Sequence, residues 1–260
     1  MFVRVLFAVV GVFVMSPLAV AEIKPGDANA RFEKRDFADG KLPYRLLKPR
    51  AYEANKKYPL VIFLHGAGER GSDNMKQLVH GMGQFASDEV MEKYPAFVAA
   101  PQCPDGQQWV NVPWSADEHT MPKEPSDSMQ HVFELIDALR KEFSVDEKRI
   151  YITGLSMGGF GTWDAIERKP ELFAAAAPIC GGGDVAQAKA IKDVPVWAFH
   201  GDDDGVVKVR RSRDMIAAIK AAGGKPRYTE YPKVGHFSWG PAYNDPELYA
   251  WMFDQQRKSE

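Results

Sequence analysis

From Pro59 onward the chain alternates short, unbroken apolar runs with stretches of helical spacing, and that alternation limits the folds open to it. Leu60 to Leu64, Ala96 to Ala100, Ile150 to Thr153, Ala174 to Ile179 and Val194 to Phe199 read as buried strands, with Tyr228 to Tyr231 a weaker sixth. Runs without polar alternation mark strands covered on both faces. Between them, Met129 to Phe143 places Val132, Leu135, Ile136, Leu139 and Phe143 on one helical face, with Asp127 or Ser128 positioned to cap it. Phe160 to Lys169 reads as a helix closed by Pro170, Val209 to Ala222 as one closed by Gly223-Gly224, and Glu247 to Gln256 as a fourth. The pattern predicts an α/β fold, a mostly parallel central sheet with helices on both faces. Phe32 to Lys48 is expected to add an antiparallel hairpin at the sheet edge. A hydrophobic content of 45% is enough for one sizeable core. No repeat, low-complexity tract or long linker divides residues 22–260, so a single domain is expected. With 33 basic against 35 acidic residues, no strongly basic stripe points to a nucleic-acid partner.

Residues 1–21 have a separate logic. Arg4 precedes the apolar run Val5 to Met15, and Ala19-Val20-Ala21 is a small-x-small cleavage site, the anatomy of a secretory signal peptide. A membrane anchor is the competing reading, but a span needs roughly 20 apolar residues. Cleavage after Ala21 predicts a mature chain starting at Glu22, exported to the periplasm or the extracellular medium with no stable membrane anchor. Export makes the two cysteines informative. Cys103 and Cys180 each follow a predicted strand, and an oxidising compartment permits a bridge between them. Two buried free thiols are the alternative.

The strongest local signal is Gly154-Leu155-Ser156-Met157-Gly158. Alone, G-x-S-x-G is weak; here it follows the β-rich run Arg149 to Thr153 and precedes a helical pattern, the context of a nucleophile elbow. The glycines let the Ser156 turn pass close to its neighbours without a side-chain clash. A serine hydroxyl needs a base to remove its proton, and downstream the histidines are His200 and His236. His200 ends an apolar run and reads as structural. His236, in Val234-Gly235-His236-Phe237 after the last strand, sits where a loop-borne base belongs. The acid is one of Asp202, Asp203 and Asp204, or Asp214 as an outsider, with the residues alone giving Asp204 a preference. Leu64-His65-Gly66-Ala67-Gly68 supplies a Gly-rich turn whose backbone N–H groups can face a developing oxyanion. Ala67 and Met157 are the expected donors, and His65 a loop brace. His80, His119 and His131 have no partner at ligand spacing, so no metal site is proposed.

These segments, with Ala100-Pro101-Gln102-Cys103-Pro104, Ala177-Pro178-Ile179-Cys180-Gly181-Gly182-Gly183, His200-Gly201-Asp202-Asp203-Asp204 and Gly235-His236-Phe237-Ser238-Trp239, resemble the single-domain esterases of the α/β-hydrolase superfamily. The nearest group is that of feruloyl and acetyl-xylan esterase-like carbohydrate esterases, also labelled dienelactone-hydrolase-like or predicted peptidases. The resemblance runs from about Tyr58 to Tyr249. It implies the α/β-hydrolase fold and a Ser156, Asp204, His236 triad, Asp204 being the fifth residue of the His-Gly-x-x-Asp run. It also implies acyl transfer without a cofactor, on a small-molecule or polysaccharide ester. Gly205 departs from the proline common in that group, and Ser156 argues against dienelactone hydrolysis, which uses cysteine.

The substrate is less legible. No long insertion between Cys180 and Val194 offers a lid. The irregular stretch from Gln102 to Asp127 is long enough to suggest a functional loop. Trp109, Trp114 and Trp239, with Gln102, are candidate substrate contacts, the indoles either forming a stacking wall or packing into core and loop. Feruloyl or acetyl esters of polysaccharides are the leading expectation. A serine peptidase and a binding protein on a retired hydrolase scaffold are the alternatives.

Overall fold

The computed structural model describes residues 29–257; the expected signal peptide at 1–21 lies outside them. The strands are β1 (Glu33–Phe37), β2 (Leu42–Leu47), β3 (Tyr58–Leu64), β4 (Phe97–Pro101), β5 (Val145–Leu155), β6 (Ala175–Ile179), β7 (Trp197–Gly201) and β8 (Arg227–Tyr231). The helices are α1 (Met82–Phe85), α2 (Asp88–Lys93), α3 (Asp127–Glu142), α4 (Met157–Arg168), α5 (Ala188–Ile191), α6 (Arg210–Ala221), α7 (Trp239–Tyr243) and α8 (Pro246–Asp254). All eight strands join one sheet in the order β1-β2-β4-β3-β5-β6-β7-β8. The β1–β2 hairpin attaches antiparallel to β4, and from β4 to β8 every pairing is parallel. Among the described residues no helix is long and apolar enough to cross a membrane.

Successive residues of a strand face opposite sides, and the two cores follow that parity. From β3, Leu60, Ile62 and Leu64 join one core with residues of α3, α4 and α6. Val61 and Phe63 join the other, with residues of α1, α2, α7 and α8. Each fully buried side chain of this size contributes about 1.5–3 kcal/mol. The strand ends of the parallel sheet leave their loops on one edge, where Ala67, Ser156, Cys180, Asp204 and His236 all lie.

Several element boundaries differ from the sequence expectation. Helix α3 is capped by Ser126, whose Oγ accepts the Met129 N–H at 3.1 Å, one residue before the expected caps. Strand β7 begins at Trp197, not Val194: Pro195 has no N–H, and Val196 makes only an isolated bridge to Ala176. Helix α6 ends as expected, with Gly223 at φ +90° and the Gly223 and Gly224 N–H groups returning to Lys220 and Ile219. Helix α4 starts at Met157, three residues early, because the two glycines of its first turn have poor helix propensity and mask its start. Those glycines are a packing requirement. A Cβ on Gly158 would run into the Leu64 carbonyl oxygen, and one on Gly154 into the Gly158 carbonyl.

Helix α4 also turns two acids inward. Asp164 binds Arg168 at 2.8 Å, and Glu167 Oε1 accepts the Asp184 N–H at 2.9 Å. Glu167 Oε2 has no hydrogen-bond partner among the described residues. Burial, reinforced by the neighbouring Asp164 charge, raises the Glu167 pKa well above the usual carboxylic range.

Two outcomes follow from α4. Gly158→Ala should cost about 3 kcal/mol in urea denaturation, whereas Gly240→Ala, with open space around its Cβ, should stay within about 0.5 kcal/mol; equal effects would remove the packing argument. Because the folded pKa of Glu167 is raised, its contribution is fully present below the unfolded value of about 4.3 and is lost as pH rises through the folded one. The urea midpoint of the wild type should therefore fall relative to Glu167→Gln as pH increases. Parallel pH profiles would contradict this.

Candidate active site

Ser156 occupies the sharp turn between β5 and α4 with φ 52° and ψ −116°. A non-glycine residue in this region costs of order 1–3 kcal/mol and persists only when its surroundings hold it. Here the Ser156 N–H donates to the Ile179 carbonyl at 2.9 Å, and the Phe160 N–H donates to the Ser156 carbonyl at 3.0 Å. The turn lifts Oγ off the sheet to within 2.9 Å of His236 Nε2. His236 arrives on the loop after β8, and its Nδ1 lies 2.8 Å from Asp204 Oδ2. Facing a carboxylate, Nδ1 carries the proton, which leaves Nε2 to accept from the serine hydroxyl.

Asp204 follows β7, and its side chain is fully buried while that of His236 is 14% exposed. Burial pushes the carboxyl pKa up. Hydrogen bonds from His200, His236, Val207 N–H and Val206 N–H outweigh that and hold it well below the usual carboxylate range. The other candidate acids point elsewhere. Asp202 accepts the Lys233 N–H, Asp203 is exposed, and Asp214 on α6 pairs with Arg210.

His200 does more than end a strand. Its buried ring sets Nε2 3.1 Å from Asp204 Oδ2 and 3.0 Å from the Val207 carbonyl, with Nδ1 2.8 Å from Ser212 Oγ. Two oxygen acceptors at Nε2 require a proton there. Asp204 Oδ2 thus accepts from two histidines at once. Sequence reasoning missed this contact, although the i, i+4 spacing of His200 and Asp204 was a signal for it.

The backbone N–H groups of Met157 and Ala67 open α4 and a short 3-10 turn respectively, and neither has a partner among the described residues. His65 braces that turn. Its Nδ1 donates to the Gly66 carbonyl at 2.6 Å while Nε2 accepts the Cys103 N–H at 2.9 Å, and burial lowers its pKa to about 4.

The candidate substrate residues separate. Trp109 is 0% exposed: its indole packs against Gly161, edge-on to His65 at 5.2 Å, and donates to the His65 carbonyl at 3.0 Å. Gln102 is equally buried, accepting the Asn74 N–H and donating to Glu69 O and Asp73. Neither offers a surface to a ligand, so both expectations are corrected: these are struts beneath the loops. Trp114 is half-buried beside Arg70. Trp239 stands edge-on to His236 at 5.4 Å, next to His80 and the 70% exposed Phe237. An aromatic flank therefore exists, built from Phe237, Trp239 and His80. A phenylalanine directly after His236 was the overlooked signal.

Cys103 and Cys180 are both free and buried; of the two readings open to the sequence, free thiols are found, because the cysteines join the cores on opposite faces of the sheet. Burial, the largest influence, pushes the Cys103 thiol up to about 11. Among the described residues, the one group of metal-binding side chains close enough to share an ion is Cys180, Asp204 and His236. Binding there would compete with the His236–Asp204 hydrogen bond.

The sheet order, the strained serine turn and the loops converging at one strand edge define an α/β hydrolase. The model of the phospholipase/carboxylesterase family matches residues 51–245, and the chain belongs to that family. It is similar to a thermostable esterase of known structure, with a TM-score of 0.81 and 44% identity over 88% of this chain and 64% of the other. Among curated proteins it is 33% identical over 121 residues to a bifunctional acetylxylan esterase/xylanase of Neocallimastix patriciarum, covering 43% of this chain and 18% of that protein. It is 27% identical over 223 residues to feruloyl esterase B of Piromyces equi, covering 79% of this chain and 38% of that one. The chain thus spans well under half the length of these two curated relatives.

Removing the second histidine tests how tightly the Asp204 carboxylate is held. His200→Phe deletes a hydrogen bond to a buried charge, so urea denaturation should show a loss of about 1.5–3 kcal/mol. A change below about 0.5 kcal/mol would show that the contact contributes nothing to stability.

Proposed function

We propose that the protein is an exported serine ester hydrolase acting on feruloyl or acetyl esters carried by polysaccharides. The observation that carries the reading is the continuous relay from Ser156 Oγ through His236 to Asp204, at 2.9 and 2.8 Å. Ser156 is the nucleophile: its Oγ attacks the ester carbonyl as its proton passes to His236 Nε2. Asp204 holds the Nδ1–H tautomer and stabilises the imidazolium, and it stays ionised because four hydrogen bonds depress its pKa. The unpartnered N–H groups of Met157 and Ala67 receive the oxyanion; such a donor is worth about 10²–10³ in rate. Imidazolium then protonates the departing alcohol. Water repeats the sequence against the acyl-enzyme and releases the acid, with no cofactor in either half.

The ester class rests on the relatives named for acetylxylan and feruloyl esters and on the aromatic flank beside His236, where Phe237 is 70% exposed over the buried Trp239. Export rests on the n-, h- and c-region pattern of residues 1–21. The β6–β7 connection between Ile179 and Trp197 holds a 3-10 turn at Val185–Gln187 and the short α5, with no long insertion to close over the serine.

Activity on p-nitrophenyl acetate, methyl ferulate and acetylated xylan should fall about 10⁶-fold in Ser156→Ala. A fluorophosphonate probe should label Ser156 in the wild type. Hydrolysis confined to peptides, or a wild type inert on every ester, would overturn the reading.

A further inference from the structure

A groove of about 470 Å³ lies between the long loop, the segment following β6 and the outer face of α6. Gly183, Asp184 and Arg211 form its floor, and Glu118, His119 and Thr120 stand on its rim. We infer that this groove is a sugar subsite, holding the unesterified residues that neighbour the reacting ester in a polysaccharide chain; the inference rests on the ester-hydrolase reading above.

Three features carry it. The first is construction. Arg211 is 2% exposed, yet its guanidinium is spent on the loop and on the β6 segment. Nη1 donates to the Ala116 carbonyl at 3.2 Å, and Nη2 to the Gly183 carbonyl at 3.4 Å and to His119 Nδ1, while the plane lies 5.3 Å from the Phe160 ring. Asp184 fastens the other side, accepting the Met121 N–H at 2.9 Å and the Ala186 N–H at 3.0 Å. Lys208, two residues before α6, binds Asp117 at 2.7 Å. The walls are therefore fixed before any ligand arrives, which lowers the ordering cost of binding.

The second is position. Phe160, beneath Arg211, lies one helical turn after Ser156. Gly183 is three residues beyond Cys180, at the end of the strand that anchors the Ser156 turn, and three residues reach at most about 11 Å. Ser212, next to Arg211, hydrogen-bonds His200, which in turn holds Asp204. The groove is thus linked to Asp204 through Arg211, Ser212 and His200, while the aromatic flank of Phe237, Trp239 and His80 adjoins His236.

The third is chemistry. Burial, then the Arg211 charge, lower the His119 pKa to about 4, so the ring is neutral near pH 7. Its Nδ1 accepts from Arg211, so Nε2 bears hydrogen and has no partner among the described residues. The Glu118 carboxylate and the Thr120 hydroxyl are likewise without partners among the described residues. A donor, an acceptor and a group that does both stand side by side on the rim. Sugar hydroxyls, each both donor and acceptor, satisfy such a set. An aromatic acyl group offers these groups no hydrogen-bonding partner. The polar groove and the aromatic flank thus sort the two halves of a feruloylated or acetylated glycan.

The test uses the double variant Glu118→Ala/Thr120→Val, both changes on the exposed rim. Calorimetry with unesterified xylo-oligosaccharide should show binding to the wild type and about tenfold weaker binding to the variant, about 1.4 kcal/mol. The ratio of kcat/KM on acetylated xylo-oligosaccharide to that on p-nitrophenyl acetate should fall by a similar factor. If the wild type favours the oligosaccharide ester and the variant keeps both binding and ratio, the groove assignment is wrong while the ester-hydrolase reading stands. An equal fall on both esters, with the ratio preserved, also overturns the subsite. A wild type that cleaves p-nitrophenyl acetate but neither binds the oligosaccharide nor hydrolyses its esters overturns the subsite together with the polysaccharide substrate. One inert on all esters removes the function itself.

Discussion

How closely α4 can approach the end of β3 governs everything at the strand edge. The approach is set by Gly158, whose missing side chain lets the helix meet the Leu64 carbonyl, and by Gly154, which makes room for Gly158 in turn. With that gap closed, α4 begins directly after Ser156, and its first N–H, that of Met157, is left without a partner among the described residues. The positive φ of Ser156 follows from the same contact, because a relaxed turn would push the helix away from the sheet. One steric condition therefore sets both the position of the hydroxyl and the start of the helix behind it.

The charge at the site is organised around Asp204 rather than around the serine. Two histidines share one of its oxygens, and two backbone N–H groups share the other. Their different burial separates the histidines. His200 is fully buried and held between Ser212 and Val207, whereas His236 keeps an open edge and reaches Ser156. The same carboxylate thus holds one buried ring and orients a second that faces the serine.

Much of this was readable from residues alone, for identifiable reasons. Continuous apolar runs such as Leu60 to Leu64 signal strands buried on both faces, and the order of serine, aspartate and histidine follows from the topology. Asp204 was preferred over its neighbours chiefly by resemblance, since Asp202, Asp203 and Asp204 differ in the direction of one turn and not in composition. Trp109 could not be read correctly: an indole in a Pro-rich loop looks the same whether it faces ligand or core. Gly161, 52 residues further along, decides its fate by opening a slot for the ring. The start of α4 was hidden because the glycines that close packing demands are the residues least expected in a helix. The groove beside Arg211 was invisible, since it joins segments nearly a hundred residues apart.

The placement of the cysteines has a practical consequence. Cys103 is sealed in the layer containing α3, α4 and α6, and Cys180 in the layer containing α1, α2, α7 and α8. Neither thiol meets solvent in the folded state, and both are held in the unreactive protonated form by burial. An alkylating reagent reaches each one only when its own side of the sheet opens. The chain therefore carries two native reporters, whose separate modification rates distinguish opening of one layer from collapse of the whole sheet.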